Sequence, residues 1–187
     1  MSKTPKKIMS PEDLVLYISN KLEPEKSDKM RLNKLAFLVE FSFLLKYGRS
    51  LSNANYAAID HGPVIDGYDK LFLKMQENSL IKIDGFKIRP LKSRVVSLTD
   101  EEKSFVDSVM EKYSKLSNSE LRSITHDTDS YKITTDNEKI MGKKIDKDLA
   151  KLETFLDENI SDAEEGFTIL EKDLPAIDRN KLVKYAG

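Results

Sequence analysis

Cysteine is absent from this chain of 187 residues, and histidine occurs only twice. Without cysteine the chain cannot form a disulfide, a thiolate metal site or a thiol nucleophile. Its seven glycines are scattered, and they form neither a Gly-x-Gly-x-x-Gly nor a Walker pattern, so no phosphate-binding loop is indicated. A Gly-x-Ser-x-Gly nucleophile elbow is missing as well. We therefore expect a protein that is not an enzyme and that holds no metal or cofactor.

An excess of charge of one sign is also lacking. The chain has 31 basic and 32 acidic residues, so its formal net charge is only −1. This balance favours neither nucleic acid nor a membrane surface as a partner. Residues 1–9 contain three lysines but no apolar segment follows them, so they are expected to be a disordered tail and not a signal peptide. We expect a cytoplasmic protein.

The sequence does contain a helix with almost no polar face. Nine of the 11 residues at positions 35–45 are apolar, which is fewer than the ~18–20 that a membrane span needs. A helix that is apolar on nearly all sides lies in the middle of a core. Gly48 offers the left-handed cap that ends many helices. The expected fold is mainly α, with a central buried helix surrounded by about five others and one small antiparallel β-hairpin.

Capping signals and apolar periodicity predict the surrounding helices. Ser10 and Pro11 form a helix start, and two hydroxyl-x-x-Glu capping boxes precede later helices. Besides the central helix, one helix is predicted to begin at residue 11. Four others are predicted to span about 64–76, 100–114, 118–126 and 138–160. The last has an apolar stripe of Ile140, Ile145, Leu149, Leu152 and Leu156. Residues 130–137, rich in threonine and aspartate, are predicted to be a loop.

The β-hairpin is predicted around Asp84-Gly85, a dipeptide that is preferred in two-residue turns. This turn would pair Ile83 with Phe86 and Ile81 with Ile88, with all four side chains on one face.

The other face of this hairpin is basic. Lys82, Lys87 and Arg89 stand against the single acid Asp84, and the predicted register places Lys82 opposite Lys87. Three interpretations stay open: a solvated face, a contact for a protein partner, or a wing that contacts DNA phosphates.

The two histidines each have acidic neighbours in the sequence. Asp60 precedes His61, and Asp127 follows His126. Two histidines and a carboxylate can bind a transition metal, but neither histidine belongs to a His-x-x-x-His pair on one element. A structural role is favoured, with partner contact and metal or acid–base chemistry as the alternatives.

Five short motifs occur in a fixed order along the chain. They are Arg-Leu-Asn-Lys-Leu-Ala-Phe at 31–37, Tyr-Gly at 47–48, Gly-Pro-Val at 62–64, Leu-Thr-Asp-Glu-Glu at 98–102, and Leu-Ser-x-x-Glu-Leu-x-x-x-Thr-His at 116–126. In this order and spacing, over roughly 11–132, the chain resembles the Panacea-domain (SocA-like) antitoxin family. It departs from the family pattern at His61, usually an aromatic residue and most often tyrosine, and at Tyr131, usually tryptophan.

This resemblance implies an antitoxin of a prokaryotic or phage toxin–antitoxin pair. Such a protein would bind and neutralise a cognate protein toxin encoded by an adjacent gene, either by masking it or as an adaptor for the ClpXP protease. The alternative is a winged-helix-like DNA-binding regulator that uses Lys82, Lys87 and Arg89. DNA is the less favoured partner, and no membrane is expected.

The resemblance also suggests a partner surface, although the same residues could simply support the fold. Its members match family motifs without being obvious core residues: His61, Gly62, Pro63, Val64, His126, Asp127 and Tyr131. The predicted domain covers 10–160. The extension at 161–187 is too apolar for a plain linker, so it is expected to dock on the domain or on a partner.

Overall fold

Helices make up most of the fold, which confirms the mainly α prediction. The structure, a computed structural model, describes residues 8–93 and 98–156. Its helices are α1 (Pro11–Lys21), α2 (Lys29–Tyr47), α3 (Tyr68–Glu77), α4 (Asp100–Ser114), α5 (Asn118–Asp127) and α6 (Asp129–Thr135). Its strands are β1 (Tyr56–Ile59), β2 (Gly62–Ile65), β3 (Ile81–Asp84), β4 (Lys87–Pro90) and β5 (Lys144–Ile145). Short 3₁₀ helices span Pro24–Lys26 and Lys147–Leu152.

The central helix is α2, as predicted. Every residue from Arg31 to Phe43 is buried, because α1, α4, α5 and β2 all pack against it. Its first turn is capped by Asp28, whose Oδ1 accepts a hydrogen bond from the Arg31 amide at 2.8 Å. Gly48 ends it in the left-handed conformation. The sequence predicted the cap at Gly48, whereas the cap supplied by Asp28 was not predicted.

A three-stranded antiparallel sheet, in the order β2-β1-β5, was not predicted. The helix expected at 64–76 is wrong at its start, because Val64 and Ile65 lie in β2 and are buried. Gly67, in the left-handed conformation, separates this strand from α3. A short buried strand has apolar residues on both faces, so its sequence cannot be told from a buried helical segment by periodicity.

The predicted hairpin is formed by β3 and β4, but its register differs from the prediction. Ile83 pairs with Ile88, and Lys82 pairs with Arg89. The turn therefore consists of Gly85 and Phe86, and Phe86 points away from the core. A further contact holds β4 at its other edge, where the Ile88 amide donates to the Ser27 carbonyl, in the segment between α1 and α2, at 2.8 Å.

The helix predicted at 138–160 is also wrong within the described residues. Asp136, Asn137 and Glu138 all have positive φ angles, and Gly142 has a φ of 79°, so the chain cannot be helical there. The segment then forms β5 and a 3₁₀ helix. Two members of the expected stripe are exposed, since Ile140 retains 40% and Leu152 57% of its surface. The helical spacing of these apolar residues in the sequence therefore did not correspond to one buried helix face.

Residues 130–137 are not a loop, because α6 occupies most of that segment. The first amides of α6 are satisfied by Glu153, whose carboxylate accepts from Asp129 at 3.1 Å and from Ser130 at 2.8 Å. The cap therefore lies more than 20 residues away in the sequence, and no local signal could indicate it.

The end of the predicted N-terminal tail lies within the described residues. Met9 is buried, and it exchanges backbone hydrogen bonds with Leu51 and Asn53, so the last residue of the predicted tail belongs to the fold. Residues 1–7 of that tail and the extension at 161–187 lie outside the described residues. No helix in the described part of the chain is both long enough and apolar enough to cross a membrane.

Candidate functional site

The β1–β2 hairpin and the helices α5 and α6 form the first candidate site. The two-residue turn of Asp60 and His61 leaves His61 exposed. From α5, the guanidinium of Arg122 donates to the Asp60 carbonyl at 3.0 Å. From α6, the hydroxyl of Tyr131 donates to the Ile59 carbonyl at 2.8 Å. Both predicted segments, around 61–64 and around 126–131, are thus brought together.

Gly62 allows this close approach. Its φ angle is +90°, which other residues rarely adopt. A Cβ atom built there would lie 2.8 Å from Lys34 Nζ, 3.0 Å from His126 Cδ2 and 3.0 Å from Thr125 Oγ1. An amine, an imidazole and a hydroxyl therefore converge on one backbone position that only glycine can occupy without displacement.

Lys34 is the most unusual residue of the site. Its side chain is buried in the core, with 1% of the residue exposed, and its Nζ donates to the Pro63 carbonyl at 3.0 Å. Burial, followed by repulsion from the Arg122 charge, lowers the pKa of Lys34 to about 7. Near neutral pH the amine is therefore close to losing its proton.

His126 and Tyr131 complete the site. The imidazole Nδ1 lies 2.5 Å from the Glu138 carboxylate, and the His126 and Tyr131 rings are 4.6 Å apart. The other nitrogen, Nε2, is buried and has no hydrogen-bond partner among the described residues. Burial, with the Glu138 and Asp60 charges, raises the pKa of Tyr131 to about 12, so its hydroxyl stays a donor.

We name these residues together the Lys34 cluster: Lys34, Gly62, Pro63, His126 and Tyr131. Of the residues predicted to bind a partner, those in the cluster are mainly internal, as is Val64 in β2. His61 and Asp127 are exposed, and Asp127 forms an ion pair with Lys132 at 3.2 Å. A partner can therefore reach His61 and Asp127, whereas the cluster lies beneath them.

The β3–β4 hairpin is the second candidate site. Lys82 and Arg89 are exposed and directly opposite each other, and neither forms an ion pair with a described residue. Lys87 differs, because its ammonium donates to the Glu25 carbonyl. Two of the three cations that were predicted to contact nucleic acid are therefore available to a partner.

The chain matches one protein-family model, described as the antitoxin SocA-like Panacea domain, over residues 32–132. This span covers more than half of the 187 residues. The chain belongs to the SocA-like Panacea-domain antitoxin family. Searches of the curated proteins and of the solved structures returned no match.

Polar residues of the first family motif fasten neighbouring segments to the core of this Panacea-domain protein. Arg31 donates to the carbonyls of Ser114 and Leu116, at 3.1 and 2.8 Å, and so holds the link between α4 and α5. Asn33 accepts from the Ile65 amide at 2.8 Å and holds β2. Sequence reasoning did not assign these roles. The signal was the presence of polar side chains in an otherwise apolar helix.

Glu40 has a comparable role further along α2. Its buried carboxylate accepts from the Ser52 amide at 3.0 Å, from the Ser52 hydroxyl at 2.6 Å and from Lys147 Nζ at 2.8 Å. Burial raises the pKa of Glu40, and the Lys147 charge opposes this rise. The residue thus anchors the loop after α2 and the second 3₁₀ helix.

The described residues offer little for other chemistry. Between 8 and 93 and between 98 and 156 there is no group of three or more histidine, aspartate or glutamate residues that could hold a metal ion. A cavity of about 240 Å³ next to the second 3₁₀ helix is lined by Arg49, Lys147 and Lys151. Each of these cations already pairs with a carboxylate, so the cavity has no unpaired charge to offer an anion.

Proposed function

We propose that this Panacea-domain protein is the antitoxin of a prokaryotic or phage toxin–antitoxin pair. It binds a protein toxin encoded by the adjacent gene, in the cytoplasm, and neutralises it. The observation that carries this proposal is the family match over residues 32–132, which runs from the core helix α2 to α6 and so includes both candidate sites.

We infer that the protein acts by binding and not by catalysis. The Lys34 ammonium and the Tyr131 hydroxyl donate to backbone carbonyls, and the His126 imidazole pairs with the Glu138 carboxylate. Their arrangement supports a role in holding the β1–β2 hairpin against α5 and α6. In this proposal the exposed residues His61 and Asp127 can contact the toxin, and the buried ones support them.

Two routes to neutralisation follow from the family: direct masking of the toxin, and delivery of the toxin to ClpXP. The test is co-expression with the adjacent gene product in hosts with and without ClpXP, with growth and complex formation recorded in parallel. Growth restored in both hosts, together with a stable complex, supports masking. Rescue that requires ClpXP supports the adaptor route. Neither a complex nor rescue would contradict the antitoxin assignment.

A DNA-binding regulator is the second candidate function. It is favoured by the exposed cations Lys82 and Arg89, which form no ion pair with the residues that the structure describes. Binding through phosphates predicts an affinity for promoter DNA that falls steeply with salt. The test is titration of the operon's own promoter fragment at 50 and 200 mM salt with the wild type and with Lys82→Glu/Arg89→Glu. Equal binding by both proteins would remove this candidate.

The extension at 161–187 has a proposed role in docking, on the domain or on the toxin. Truncation after residue 160 separates the two. A lower unfolding midpoint with unchanged toxin affinity indicates docking on the domain, and a lower affinity with an unchanged midpoint indicates contact with the toxin.

A further inference from the structure

Phe86 stands at the tip of the β3–β4 hairpin with 90% of its surface exposed, more than any other large hydrophobic residue in the described part of the chain. Full burial of such a side chain is favourable by roughly 1.5–3 kcal/mol. The turn does not require phenylalanine, because Gly85 supplies the positive φ angle of 57°. The inner face of the hairpin is already filled by Ile81 and Ile88. Phe86 therefore has no packing role within the described fold.

The outer face of the same hairpin carries charge that the described residues do not neutralise. Lys82 lies directly opposite Arg89, and like charges in this position destabilise a strand pair. Neither side chain forms an ion pair within the described chain. The exposed Phe86 ring and these two cations lie on one hairpin, separated by the Ile83–Ile88 and Asp84–Lys87 pairs. Burial of the ring and neutralisation of the cations by a partner would both be favourable.

We propose that this hairpin surface, made of Phe86, Lys82 and Arg89, docks an acidic protein partner. Phe86 enters an apolar pocket of the partner, and the two cations face carboxylates at the rim of that pocket. Aromatic residues and arginine are the most enriched types among residues that dominate binding energy. The proposal rests on the proposed function, since it assigns the toxin as this partner.

A protein fits this surface better than a nucleic acid does. Among the cations of the paired strands, Lys82 and Arg89 are exposed, whereas the Lys87 ammonium donates to the Glu25 carbonyl. Asp84 adds an acidic group at the start of the turn. A protein that makes about 6–10 phosphate contacts depends on them for much of its affinity. The exposed cations described in and just after this hairpin, Lys82, Arg89 and Lys92, would supply few.

The test uses the full chain and the purified product of the adjacent gene, with affinity measured by calorimetry at 50 and 200 mM salt. The two hairpin variants are Phe86→Ser and the double variant Lys82→Glu/Arg89→Glu. The matched controls are Leu152→Ser, which removes another exposed apolar side chain, and Lys103→Glu/Lys143→Glu, which makes the same change in net charge at exposed positions. Thermal unfolding of each variant checks that the fold is retained.

We expect Phe86→Ser to weaken toxin binding by about 30-fold or more, the level of a hot-spot residue. The double charge reversal should weaken binding at 50 mM salt by about tenfold and reduce its salt dependence. Both controls should stay within about threefold of the wild type.

Three other outcomes would overturn the proposal. If the wild type binds the gene product and both hairpin variants bind like their controls, the surface is misassigned while the proposed function stands. If the wild type does not bind the gene product at all, both fail. If charge reversal abolishes binding to promoter DNA and leaves toxin binding unchanged, the surface serves nucleic acid.

Discussion

Lys34 places an amine in the core next to a glycine, where most proteins would place an apolar side chain. The arrangement is stable because the Pro63 carbonyl accepts one hydrogen bond and because the pKa of the amine falls to about 7, which allows it to lose its charge. A residue with this environment titrates in a pH range where ordinary lysines do not, so its effect on stability can be measured.

Replacement of Lys34 by methionine should make this effect visible. Between pH 7 and about 10.5 the unfolded chain holds a proton on Lys34 that the folded chain has lost. The free energy of unfolding of the wild type, relative to that of Lys34→Met, should therefore rise with pH by up to about 1.4 kcal/mol per pH unit. This gain should be lost as the pH falls to about 7.

The measurement is urea unfolding of both proteins from pH 6 to 10. The difference between them cancels the other titrating groups, and Lys103→Met, at an exposed position, is the control. A wild-type-minus-variant difference that stays constant from pH 7 to 10 would contradict the assignment.

Gly62→Ala tests the close approach in the same cluster. The new Cβ meets Lys34 Nζ at 2.8 Å and also forces alanine to a φ of +90°, so we expect a loss of about 2–4 kcal/mol in the free energy of unfolding. Gly67→Ala is the matched control, because its φ is also positive at 71° but nothing lies within 4 Å of the added Cβ. It should cost only about 1–2 kcal/mol. Equal losses in urea unfolding would show that the Lys34 cluster is not tightly packed.

At the scale of elements, α6 depends on a cap supplied from far along the chain. The Glu153 carboxylate accepts from two of its first amides, and burial raises the pKa of this carboxyl while these hydrogen bonds oppose the rise. Glu153→Ala should therefore destabilise the protein by about 1–2 kcal/mol, as the loss of a helix cap does.

The measurement is the free energy of unfolding of Glu153→Ala by chemical denaturation, with Asp148→Ala as the control. Asp148 is exposed, and among the described residues its carboxylate bonds only to Lys151. Its replacement should therefore change stability by less than about 0.5 kcal/mol. A similar small loss for both variants would mean that Glu153 does not cap α6.

Elements with local signals were predictable, and elements with distant partners were not. Thr99 and Ser117 each precede a glutamate by three positions, and both capping boxes are present at the starts of α4 and α5. By contrast, α6 is capped by Glu153, and β5 exists because its backbone pairs with β1. Neither partner can be identified from the local sequence.

The candidate site shows the same limit. Its histidine, glycine and tyrosine positions were identified from the family motifs, and the structure brings Gly62, His126 and Tyr131 together. Lys34 was not identified as part of the site, because its environment depends on a hairpin and two helices that meet only in the fold. The available signal was that Lys34 directly precedes the apolar run at 35–45 of the helix predicted to be central, where a charged side chain is uncommon.

At the scale of the whole molecule, α2 connects the parts of the fold. Helices α1, α4 and α5, strand β2 and the second 3₁₀ helix all pack on it. Its polar side chains are also bonded to β2, to the link between α4 and α5 and to the loop after α2. The β3–β4 hairpin is attached differently, since β3 has β4 as its only strand neighbour and its outer face is exposed. We therefore expect α2 to separate from its neighbours only on complete unfolding, and the β3–β4 hairpin to open locally.

Native-state hydrogen exchange in a urea series should resolve this difference. We expect the amides of α2 to exchange only through global unfolding, because their buried run has no exposed face from which a partial opening could start. The β3 amides should exchange with a free energy lower by about 2 kcal/mol or more, through an opening with little urea dependence. Exchange of α2 at a lower free energy than β3 would contradict the central role of this helix. Binding elements are often among the least stable parts of a fold. That result would therefore also remove this support for a docking surface on the β3–β4 hairpin.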